Sequence, residues 1–149
     1  MDETLLKRAY LAAAAVAGGL LASAGVYLAV VELLAARGYR APLAAPAGYG
    51  LKYALYGVAV SALPVIRLAS ARLGGSKDSA LAQLRALTAL SVVKSAAAEL
   101  PAAAGLLLYL LGGFRQDFYL LTLFSAALQL YHFPRLAAWR ERLREHGGL

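Results

Sequence analysis

Twenty-three consecutive residues, Ala9 to Val31, carry no charge. Wound as an α-helix at about 1.5 Å per residue, such a run crosses the roughly 30 Å hydrocarbon core of a bilayer. The chain has little polar material with which to hide it, because 61% of the 149 residues are hydrophobic and only 15% are charged. That balance is far from a soluble domain. Lys7 and Arg8 in front of the run also fit a secretory signal peptide. The run is longer than an h-region, however, and its polar exit at Glu32 and Arg37 resembles a helix end more than a cleavage site. The expectation is a membrane span.

Leu and Ala dominate the remaining sequence and no strand-like alternation persists, so the expected fold class is all-α. The expected architecture is a single-domain integral membrane four-helix bundle made of two helical hairpins. Its spans fall at about 9–33, 51–69, 86–111 and 117–132, and a short amphipathic interfacial helix follows at about 135–146. Arg37 to Gly50 reads as a loop broken by Pro42 and Pro46, with Tyr39 and Tyr49 suited to an aromatic belt. The second span is long enough if Lys52 and Arg67 snorkel to the two interfaces. Pro64 should kink it or end its regular hydrogen bonding. Ser70 to Arg85 reads as a polar connector turning at Gly74-Gly75, and Gly112-Gly113 ends the third span just before the fourth.

Ala14, Gly18, Ala22 and Gly25 form a small-residue stripe on the first span, expected to let another helix approach closely. Orientation follows from the basic residues. Ten Lys and Arg lie at the termini and the second connector, against four on the opposite side. Both termini are therefore expected in the cytoplasm, in an integral, multi-pass arrangement. This flanking placement also accounts for the net charge of +7 without nucleic acid as a partner.

The third apolar stretch, Leu87 to Leu111, carries Lys94 and Glu99 near its middle and Pro101 just after. An ionised side chain at mid-bilayer costs roughly 2.5 to 3.5 kcal/mol on insertion scales. Both charges must then be paired, hydrated, neutralised or used. Five residues apart, they lie roughly 140° apart around an ideal helix and do not meet as an i, i+4 pair would. Pro101 removes the amide that would bond the Ala97 carbonyl, leaving the helix able to kink. The functional reading is a proton- or cation-binding site at Glu99 with Lys94. The structural reading has Lys94 snorkelling toward the cytoplasm while Glu99 bonds Ser, Tyr or Gln on another helix, for example Gln129.

Glu99-Leu-Pro101 followed by Gly105-Leu-Leu-Leu-Tyr109 resembles the carboxylate helix of the rotary ATPase proteolipid, or c, subunits. The small stripe on the first span is similar to that family's glycine-rich inner helix. The resemblance covers about a dozen residues closely and implies that Glu99 is the ion-binding carboxylate. It departs from the family in placing the carboxylate on the third of four spans and Lys94 on the same helix.

Tyr131-His132-Phe133-Pro134-Arg135 opens the C-terminal segment, where Leu136, Trp139 and Leu143 share one stripe and Arg140, Arg142 and Arg144 the remaining surface. That pattern belongs at a headgroup boundary. His132, Arg135, Trp139, Arg140 and Arg144 are the expected interface anchors, and His132 titrates near neutrality in an ordinary setting. The cluster reads either as a headgroup, quinone or partner site or as a cap on the last span. There is no Cys, so thiolate metal sites are excluded, and the two histidines cannot build a metal centre by themselves. No nucleophile–base pair, phosphate loop or cofactor motif is present. The expectation is a non-enzymatic, cofactor-free membrane subunit. Its partners would be the bilayer, other membrane subunits or copies of itself, with the C-terminal helix available to a cytoplasmic partner. Either Glu99 handles protons or cations, or the chain is an anchor or a lipid- or quinone-binding accessory subunit.

Overall fold

The computed structural model describes residues 3–43, 47–75 and 79–145. Among them the chain forms five α-helices: α1 (Glu3–Ala36), α2 (Ala47–Leu73), α3 (Ala80–Gly112), α4 (Arg115–Tyr131) and α5 (Leu136–Glu145). α1, α2 and α3 are long and apolar enough to cross a membrane. Large apolar side chains stand exposed along them, among them Leu11, Val26, Val60 and Leu68. So continuous an apolar surface is foreign to a soluble protein and natural against lipid.

The helices run further than their uncharged cores. α1 takes in the charged turn at Glu3 to Arg8, because a helix keeps hydrogen bonding after it leaves the apolar layer. The connector expected over Ser70 to Arg85 is mostly helix instead. α2 continues to Leu73, and α3 starts at Ala80 under an N-cap, where the Ser79 hydroxyl accepts the Ala82 amide at 3.2 Å. Gln83, Leu84 and Leu87 in that first part of α3 are buried, which is why the polar-looking segment is ordered. Pro64 does not end α2. It lies inside the helix on an exposed face, while Ala59, Ala62 and Ile66 pack inward.

α3 is the hub and packs against each of the other four helices. In its most apolar stretch 56% of residues are buried, against 17% for α1 and α2. Small residues make this enclosure possible. A Cβ added at Gly105 would lie 3.1 Å from Leu121 Cβ and 3.3 Å from the Phe118 backbone, so α3 and α4 nearly touch there. Ala59 of α2 packs against Ala104 and Leu108 of α3 in the same region. Gly113, at φ +74°, closes α3 in the left-handed conformation, and its amide donates to the Tyr109 carbonyl at 2.9 Å.

Burial fixes the inward faces of α1 and α5. The face that α1 presents within the chain is Leu6, Ala13, Ala17, Ala24 and Val31, repeating near seven residues; the Ala14, Gly18, Ala22, Gly25 stripe is a different face. Space beside Gly18 and Gly25 is open, and Ala22 is exposed. The seven-residue row wins because it carries the larger side chains, Leu6 and Val31, that reach the core. Likewise, α5 does not lay its apolar stripe on the membrane surface. Trp139 and Leu143 are buried with Leu6, Ala13, Leu84 and Leu87, and the Tyr10 and Trp139 rings meet edge-on at 5.9 Å. The stripe closes the ends of α1 and α3.

Candidate functional site

Glu99 lies deep in the bundle, 8% exposed, at the crossing of three helices. From α1 the Ser23 hydroxyl is placed to donate to Glu99 Oε1, and from α4 Gln129 Nε2 donates to Glu99 Oε2 at 2.6 Å. The Tyr27 phenol interacts with the same carboxylate and with Ser23. Gln129 Nε2 also lies 3.3 Å from Ser125 Oγ, and that hydroxyl donates to the Ala98 carbonyl at 2.6 Å. Ala98 adjoins the carbonyl that Pro101 deprives of its helical donor. α3 remains one helix through Pro101.

Local sequence explains the convergence. Ser23 and Tyr27 are four apart on α1, and Ser125 and Gln129 four apart on α4, so each pair shares a helix face. Ala24, Ala98 and Ala102 keep the three backbones close enough for these short side chains to meet. All of the neighbours that touch Glu99 are neutral. Lys94 forms no ion pair with it among the described residues. The two charges of α3 serve different places, as their spacing around the helix requires.

Ser23 holds a proton-counting conflict. Its hydroxyl also reaches the Leu20 carbonyl at 2.6 Å, the back-bond usual for serine in a helix, so two acceptors face one proton. Gln129 Oε1 and Thr122 Oγ1, on the same face of α4, are buried without a partner among the described residues.

No protein-family model, curated protein or solved structure matches the chain.

Lys94 turns instead toward the turn between α4 and α5. Half-buried, it lines a cavity of about 360 Å³ with His132, Arg135, Arg142 and Trp139. His132 sits beyond the last residue of α4, and burial first, then nearby Lys94, hold its imidazole below the usual histidine range. Of the other expected anchors, Arg140 donates to Glu3 Oε1 at 2.6 Å and so ties α5 to α1, while Arg144 is exposed.

At the opposite end two clamps hold α4. The Lys52 ammonium lies 2.8 Å from Asp117 Oδ1, and the Tyr56 hydroxyl donates to the same oxygen at 2.7 Å. Arg115 pairs with Glu32 at 2.6 Å, and the Tyr119 hydroxyl also donates to Glu32. Ser23, Tyr27 and Ser125 escaped the sequence reading. The available signal was polar residues at four-residue spacing inside uncharged runs.

Proposed function

We propose that the chain is a multi-pass membrane subunit with cytoplasmic termini, in which Glu99 loads and unloads a proton or a small cation. One observation carries this reading: a carboxylate buried among three helices is met only by neutral groups, and the Ser23 hydroxyl faces two acceptors with one proton. A further proton on Glu99 would resolve the conflict. The carboxyl would donate to Ser23 Oγ, and Ser23 to the Leu20 carbonyl, while Gln129 continues to donate to Oε2. Removing that proton, or exchanging it for a cation coordinated by the carboxylate, Ser23 Oγ and Gln129 Oε1, leaves the backbone scaffold unchanged. Intramembrane carboxylates without a charged partner are functional sites by default. The resemblance of α3 to the proteolipid carboxylate helix points the same way.

In this reading α4 is the fourth span. Its 17 residues give about 25 Å of helix, near the lower limit for crossing. Its composition is only mildly apolar because Thr122, Ser125 and Gln129 face inward, whereas Leu120, Leu123 and Leu130 stand 60–70% exposed. A helix polar inside and apolar outside is built for lipid.

The test is Glu99→Gln in the full chain reconstituted into vesicles. The variant keeps the shape and the Ser23 and Gln129 contacts, so helix content should be retained while proton or cation exchange is lost. Equal exchange in both proteins would leave Glu99 as a structural bridge.

A further inference from the structure

We propose that the cavity between α3, the α4–α5 turn and α5 binds a phosphate-bearing anion, a role separate from that of Glu99. Lys94, His132, Arg135 and Arg142 converge on it, and no acidic residue lines it. Lys94 feels both Arg142 and His132 as basic neighbours. Half-buried Lys94 and exposed Arg135 and Arg142 are like charges around one concavity, and an anion seated among them reverses the sign of their mutual repulsion. Lys94 makes no hydrogen bond or ion pair among the described residues, so its three ammonium donors are free to point into the space.

The walls match the same ligand. Ser91 adds a hydroxyl, and Trp139 with Leu90 supplies an apolar side. The cavity lies between α3, the end of α4 and the charged α5. Arg135, exposed and next to Pro134 in the turn, lines the same cavity as Lys94. A guanidinium and an ammonium facing one anion is the arrangement by which proteins hold phosphate. A quinone would call for neutral donors instead of several cations.

Trp139 is the chain's single tryptophan and lines the cavity, so it reports on occupancy. The full chain in neutral detergent would be titrated with dioctanoyl phosphatidylglycerol, dioctanoyl phosphatidylcholine and inorganic phosphate. Trp139 emission would be followed alongside bound-ligand counts from native mass spectrometry. A saturable response to phosphatidylglycerol, weakened about tenfold or more by Lys94→Gln and by Arg135→Gln, supports a lipid headgroup as the ligand. The same response to inorganic phosphate, competing with the lipid, supports the site with free phosphate as its source. Arg72→Gln removes a charge on exposed α2 and should leave affinity unchanged. Equal binding of phosphatidylcholine, variants that bind like the parent, or no saturable binding of any ligand overturns the proposal.

Discussion

Gln129 Nε2 donates to Glu99 Oε2 across 2.6 Å, joining two helices through side chains both less than a tenth exposed. The bond supplies a donor to a largely buried carboxylate. Gln129→Leu should therefore leave a buried acceptor unanswered and destabilise the fold by about 1 to 3 kcal/mol, whereas adding Glu99→Leu should restore much of the loss. Thermal unfolding of the two single variants and the double variant in detergent measures this. Additive losses would show that the residues do not act together.

Close helix approach occurs at Gly105, not at Gly18. Gly105→Ala must push Leu121 and the Phe118 backbone away, an overpacking that should cost about 1 to 3 kcal/mol. Gly18→Ala meets open space and should be neutral, or stabilising by up to about 1 kcal/mol through helix propensity. Unfolding midpoints compare the pair. A larger loss at Gly18 would put that face against a partner.

The general plan was legible in the sequence because lipid imposes it. A run such as Ala9–Val31 has one stable conformation in a bilayer, the helix. Gln129 as a partner of Glu99 was also within reach, since a buried carboxylate must find a donor and α4 carries few. Ser23 was less so, because in an alanine-rich helix its one sign was Tyr27 four residues on, on the same face. The choice between the Ala13, Ala17, Ala24 row and the Ala14, Gly18, Gly25 row was hidden because both are small, and the distant Leu6 and Val31 decide between them. α5 misled differently. An amphipathic helix buries its stripe equally well in lipid or against α1, and only the position of Tyr10 and Leu84 in space selects the latter.

Acid should loosen α5. Glu3 lies ahead of the first span, and Lys7 first, with Arg140, holds its carboxyl below the usual carboxylate range. A carboxyl with a lower pKa in the folded state stabilises the fold above its unfolded pKa and loses that contribution as the pH falls through the folded one. The clamp between Glu3 and Arg140 should thus weaken in the acid range below the ordinary Glu pKa. Both residues are partly or fully exposed, so the effect is small and diminishes with salt. Trp139 emission should shift to the red on acidification at low ionic strength. Glu3→Gln should show the shifted emission already at neutral pH, and a titration identical to the parent's would remove Glu3 from the account.

The proposed proton uptake and release at Glu99 takes place within the membrane. Its most direct measurement is labelling with a hydrophobic carbodiimide, which reacts with the protonated carboxyl, in vesicles carrying the full chain. The modified residue would be located by mass spectrometry across a pH series. Labelling is expected at Glu99 in preference to the exposed carboxylates, declining as the pH rises and absent in Glu99→Gln. No labelling of Glu99 at any pH, or labelling that ignores pH, would contradict it.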